Sequence, residues 1–218
     1  MEVLKATDLW VEIGGIEVLR GVDFSLSKGE KLFLTGDNGA GKTTFIETLM
    51  GFVKPLKGQI FLNGSPVESE GDWRKLRLTV GYVFQNPDDQ LFCPTVEEEI
   101  AFAPLVAGKS RREVEEIVSS LLSLFKIEHL RLRPTHKLSG GEKRIVSIAA
   151  VLAMEPELLI LDEPTVGLDR FRLARLEEFL RETDCGVLVV THERELIDRL
   201  RWRRLELKEG RLLLAEDG

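Results

Sequence analysis

The segment GDNGAGKT, Gly36 to Thr43, satisfies the pattern GxxxxGK[ST] between an apolar run, KLFLT, and a helical pattern, KTTFIETLMGF. That context gives the pattern chemical meaning. Glycines let backbone N–H groups turn inward around phosphate oxygens, and a helix starting near Gly41 adds the positive end of its dipole. Gly36, Asp37, Asn38, Gly39, Ala40 and Gly41 would line the phosphates. Lys42 would set its ammonium between the β- and γ-phosphates, Thr43 would ligate Mg²⁺, and Thr44 would reach the α-phosphate.

A second cluster is acidic. LLILDEP places Asp162 and Glu163 where a buried strand leaves its sheet. Asp162 suits the Mg²⁺ shell, and Glu163 suits a general base acting on an attacking water. A third motif, LSGGE, sets Ser139, Gly140 and Gly141 at the start of a helix, where a hydroxyl and exposed N–H groups make another anion site. One chain thus carries two phosphate-binding helix starts.

These residues need a sheet to position them. The first part of the chain alternates strand-like runs and turns: VLKATDLWVEI, Gly14-Gly15, VLRGVDFSLS and KLFLT. Period-two patterning with glycine punctuation predicts antiparallel strands before a buried one. Two more strands are expected at QIFLN and TVGYVF. From about Asn86 to Ala153 the character turns helical, with Ser110 capping a stripe of Val114, Ile117, Val118, Leu121, Leu122 and Phe125. ELLIL and GVLVVT read as parallel strands buried on both faces, separated by the helical LDRFRLARLEEFLRE. WRRLELKEGRLLLAED reads as a hairpin turning at Glu209-Gly210.

Composition narrows the partners. A net charge of −7 argues against a general nucleic-acid binder, which would cluster Lys and Arg. Cys93 and Cys185 lie far apart with no metal-ligand spacing, so they read as ordinary reduced thiols in a cytosolic context. No apolar run approaches the ~20 residues a spanning helix requires. The N-terminal MEVLKATD is no signal peptide.

Taken in order, GDNGAGKT, LSGGE, LLILDEP, GLD and a late THE resemble the nucleotide-binding subunit of an ATP-binding cassette (ABC) transporter over essentially the whole chain. The resemblance implies an α/β P-loop NTPase core with an antiparallel β subdomain and a helical subdomain. It implies one domain over 1–218, with the helical signature subdomain inserted at about 86–153. It further implies a head-to-tail homo- or heterodimer with a second ABC ATPase subunit. There Ser139, Gly140 and Gly141 of one subunit close over ATP and Mg²⁺ held by the other.

By the same resemblance Gln85 senses Mg²⁺, water and γ-phosphate, His192 is the switch histidine, and Asp169 belongs to the loop joining the two sites. Ile13 stands where the family usually places an aromatic ring for adenine; Trp10 is three residues out of phase. Arg144 is one position from the family's usual arginine.

QNPDDQLF followed by PTVEEEIAFAPL is similar to ATPase subunits of energy-coupling factor transporters, importers of vitamins or of cobalt and nickel. Those subunits sit at the cytoplasmic face of the membrane, with a transmembrane coupling protein and a substrate-binding membrane protein. On that reading Asp88, Asp89, Glu97, Glu98 and Glu99 face basic helices of the partner. The alternatives are another ABC transporter class or a soluble non-transport ABC ATPase.

Overall fold

Gly14 and Gly15 both take positive φ, 59° and 84°, and fold β1 (Glu2–Ile13) back onto β2 (Ile16–Ser27). Two consecutive left-handed residues make the tight turn whose twist matches its strands. The computed structural model describes residues 2–215. Met1 and residues 216–218, including the last two residues of the expected C-terminal hairpin segment, lie outside the described residues.

KLFLT forms β3 (Lys31–Thr35) and the glycine loop leads into α1 (Lys42–Leu49). β4 (Lys57–Leu62) and the short β5 (Ser65–Pro66) follow, completing an antiparallel sheet ordered β2-β1-β4-β5. Next come α2 (Glu70–Thr79) and β6 (Val80–Val83). The helical region supplies α3 (Val96–Val106), α4 (Arg111–Phe125) and α5 (Gly140–Leu152). The chain ends with β7 (Leu158–Asp162), α6 (Arg170–Glu182), β8 (Gly186–Val190), α7 (Arg194–Leu200), β9 (Arg203–Lys208) and β10 (Arg211–Leu214). Glu209 and Gly210, both at positive φ, turn the last hairpin.

The chain divides into two compact units. The described part of the first covers 2–80, 157–163 and 184–215. Within it β10-β9-β3-β8-β7 lie side by side, parallel except for the β9–β10 hairpin. Every residue of β7 and β8 is buried, as both-face coverage of a parallel sheet requires.

The second unit, Gly81–Pro156 with Pro164–Thr183, is mainly helical. Ser110 caps α4 in a reciprocal capping box with Glu113. The stripe then buries Val114, Val118, Leu122 and Phe125, each contributing about 1.5–3 kcal/mol. The Phe125 ring lies 5.8 Å from that of Phe179 on α6.

Candidate functional site

The sheet register brings the chemical residues of the first unit together. Leu34 on β3 is opposite Val190 on β8, and Val190 is opposite Asp162 on β7. The glycine loop, Thr191-His192 and Asp162-Glu163 therefore leave neighbouring parallel strands at one carboxyl edge, where open α/β sheets bind ligands.

The loop is braced from beneath. A Cβ on Gly36 would lie 2.4 Å from the Leu207 carbonyl oxygen, and one on Gly41 would lie 2.6 Å from Val18 Cγ1. Gly39 meets nothing within 4 Å, yet its φ of 80° still favours glycine. Asp37, Asn38 and Gly39 are exposed and Ala40 donates its N–H to the Asp37 carbonyl at 3.1 Å. Lys42 Nζ donates to the carbonyls of Gly36 (2.8 Å) and Asp37 (3.0 Å), which holds the ammonium over its own loop. Thr43 is exposed in the first turn of α1 and Thr44 is half-buried.

Asp162 ends β7 with 2% exposure. Glu163 follows at a φ of 47°, a conformation costly for a side chain of its size, and its N–H donates to the Val190 carbonyl at 2.8 Å. Its Oε2 accepts from the buried Thr191 hydroxyl at 3.1 Å, and its Oε1 lies 2.7 Å from His192 Nδ1. The Thr191 hydroxyl also accepts from the Glu193 N–H at 3.1 Å. Thr191 is the residue here that sequence reasoning passed over; its place beside His192 was the available signal.

Asp162 and Thr43 offer oxygen donors, the ligand class Mg²⁺ takes while it keeps several waters and phosphate oxygens. Among the described residues no group of three or more His, Cys, Asp or Glu could hold a metal on its own. Two oxygen donors, from Asp162 and Thr43, suit a metal whose remaining ligands are waters and phosphate oxygens.

Gln85, Ser139, Gly140, Gly141 and Asp169 belong to the second unit. Gln85 is exposed just beyond β6. Ser139 caps α5: its hydroxyl accepts from the Glu142 N–H at 3.4 Å and its N–H donates to Glu142 Oε2 at 2.7 Å. Glu142 Oε1 also meets Arg133 at 3.5 Å and Arg172 at 3.4 Å. Burial pushes the Glu142 carboxyl up, but the bonds from Ser139 and the charges of Arg133 and Arg172 outweigh it, leaving its pKa below the ordinary value. Asp169 caps α6, accepting from the Arg172 N–H at 2.8 Å, and that bond, helped by the Arg172 charge, lowers its pKa. Arg172 therefore ties the start of α5 to the start of α6.

The two signature glycines differ. A Cβ on Gly141 would lie 2.4 Å from the Gly167 carbonyl oxygen, whereas one on Gly140 meets nothing within 4 Å.

The acidic run after Gln85 has partners inside the chain. Asp88 pairs with Lys143, and Asp89 accepts from the Asn86 amide at 3.0 Å. Glu97 pairs with Arg131 at 2.5 Å. Glu98 closes a capping box with Thr95, and Glu99, 4% exposed, accepts the N–H groups of Phe92 (2.9 Å) and Cys93 (2.7 Å). Asp88, Asp89 and Glu98 stay exposed, and beside them the region also exposes apolar surface: Phe92 stands edge-on to Phe102 at 4.8 Å, with Leu105 and Val106 beyond on the same helix as Phe102. Cys93 is half-buried; burial and the neighbouring Glu99 and Glu98 push its thiol up.

Ile13 and Ile16 face one another across the first hairpin and are 48% and 69% exposed. Trp10 is engaged elsewhere: its indole N–H donates to Asp8 at 2.7 Å and Lys57 Nζ sits 5.6 Å from its ring centre.

The family model described as "ABC transporter" matches residues 19–166. A protein of Brucella suis described as an ABC transporter ATP-binding protein is 48% identical over 92% of this chain and 84% of its own length. The energy-coupling factor transporter ATP-binding protein EcfA of Methanocaldococcus jannaschii is 40% identical over 90% of this chain and 72% of its own. Among solved structures, cbiO1 of Clostridium perfringens, described as part of the ABC transporter complex cbiONQ, is 35% identical with a TM-score of 0.86, covering 98% of this chain and 87% of that one.

Proposed function

The chain belongs to the ABC transporter family of ATP-binding subunits, and on that premise we propose that it powers an energy-coupling-factor-type importer of a vitamin or transition-metal ion. The observation that carries the catalytic part is the shared carboxyl edge of β3, β8 and β7, where the phosphate loop, Asp162, Glu163 and His192 emerge together. Lys42 and the loop N–H groups would hold the β- and γ-phosphates. Thr43, Asp162 and Gln85 would hold Mg²⁺, which would neutralise charge developing on the phosphates. Glu163, oriented by Thr191 and His192, would take a proton from the attacking water. Ile13 and Ile16 would give adenine an aliphatic seat.

Ser139, Gly140 and Gly141 would complete the site of a second ATPase subunit, of the same or a related chain. The kinship with EcfA and cbiO1 supports a membrane complex holding a transmembrane coupling protein and a substrate-binding membrane protein. Among the described residues no helix is long and apolar enough to cross a membrane, so the subunit would attach at the cytoplasmic face through those partners. Because the carboxylates after Gln85 are largely satisfied within the chain, the face offered to the coupling protein would be the apolar one around Phe92 and Phe102.

Affinity purification from native membranes, with identification of the integral proteins that co-purify, tests this reading. One coupling protein together with a small substrate-binding membrane protein supports it. A different set of membrane subunits moves the chain to another transporter class, and recovery with no integral protein moves it to a soluble ABC ATPase.

A further inference from the structure

The signature helix α5 carries a buried cation, Arg144, which is 2% exposed. Burying a guanidinium is costly unless its donors are taken. Here Arg144 donates to two consecutive backbone carbonyls, that of Phe84 at 2.5 Å and that of Gln85. In an extended strand successive carbonyls point to opposite sides, so one planar fork can reach both only where the chain bends. The chain bends at Gln85. Bonding to Arg144 thereby fixes the peptide from which the Gln85 side chain departs.

The same helix grips this segment twice more. The Phe84 N–H donates to Gln90 Oε1 at 3.1 Å, and Gln90 Nε2 in turn donates to the Ser147 carbonyl of α5 at 3.4 Å. Lys143 pairs with Asp88. One turn of α5, from Lys143 to Ser147, thus holds the chain from Phe84 to Gln90, and that helix begins at Ser139-Gly140.

We propose that Arg144 is the positioning residue for Gln85, joining it to Ser139, Gly140 and Gly141 as one rigid piece. This rests on the ATPase site proposed above. Arg144 touches no nucleotide; it acts through Gln85.

The test is a double-mutant cycle in the full chain: wild type, Arg144→Ala, Gln85→Ala and the double variant, with Arg144→Gln as a milder substitute. Arg144→Ala should lower kcat about 10- to 100-fold, the scale of a small misplacement, with KM for ATP within about 2-fold. The double variant should be no slower than Gln85→Ala alone to within about 2-fold, because the second change removes what the first acted through. Losses that multiply would make Arg144 independent of Gln85 and overturn the proposal. Amide hydrogen exchange reads the tie without turnover: Arg144→Ala should speed exchange over residues 84–90 while α5 stays protected. Unchanged exchange there overturns the tie itself. A Gln85→Ala variant with full activity overturns the role through the site reading, whatever exchange shows.

Discussion

His192 Nδ1 lies 2.7 Å from Glu163 Oε1, while the Thr191 hydroxyl donates to Oε2 at 3.1 Å, so both oxygens of one carboxylate are held by consecutive residues at the end of β8. The carboxylate itself leaves β7 from a left-handed backbone, φ 47°. A bulky residue keeps such a conformation only where its surroundings over-determine it. Here the Glu163 N–H bond to Val190 and the two side-chain contacts do so. His192 meanwhile keeps 72% of its side chain exposed and is free to meet a ligand as well.

The two signature glycines should separate by experiment. Gly141→Ala sets a methyl 2.4 Å from the Gly167 carbonyl oxygen and should cost about 1–3 kcal/mol of stability by overpacking. Gly140→Ala has open space and should leave stability within about 0.5 kcal/mol while still lowering ATP turnover, since what it obstructs is outside the subunit. Urea unfolding and steady-state ATPase assays on both variants check this. Equal destabilisation by the two substitutions would contradict it.

Glu99 should prove structural. Glu99→Ala strips the Phe92 and Cys93 N–H groups of their acceptor and should destabilise the protein by about 1–3 kcal/mol. It also removes a negative neighbour that raises the Cys93 thiol pKa, so alkylation of Cys93 at fixed pH should accelerate. A stable variant with unchanged alkylation would show that this loop does not depend on Glu99.

The start of α5 should be sensitive to acid. The folded-state pKa of Glu142 lies below its ordinary value, so its charge stabilises the fold above the ordinary glutamate range, and that contribution is lost as pH falls through the folded pKa. Glu142→Gln keeps a capping partner for Ser139 but loses the charge facing Arg133 and Arg172. Wild type should be the more stable at pH 7, and the gap should close below about pH 4. Urea midpoints at three pH values measure it; a gap that widens in acid would reverse the sign.

Much of this site was legible in residue types. The phosphate loop, the strand ending at Asp162 and the helix start at Ser139 are local, so residue types and short spacing suffice to place them. What escaped depended on direction or on distant partners. Glu97, Glu98 and Glu99 look alike as a run, yet successive helical residues point about 100° apart, so each meets a different neighbour. α2 went unanticipated because it buries only Leu76 and shows no apolar stripe, though Ser69 and Asp72 form a capping box at its start. The partners of Arg144 lie 59 and 60 residues away, beyond any periodicity.

Glu163→Gln isolates the role of this carboxylate, because it keeps the size of the side chain and removes the charge that would accept a proton. The measurement is ATP turnover per bound nucleotide in the presence of Mg²⁺, with the oligomeric state followed in the same samples. Turnover should fall about 10²- to 10⁴-fold, with ATP still bound and a dimer that persists because its nucleotide is not consumed. Hydrolysis at the wild-type rate would show that Glu163 is not the base that activates the attacking water.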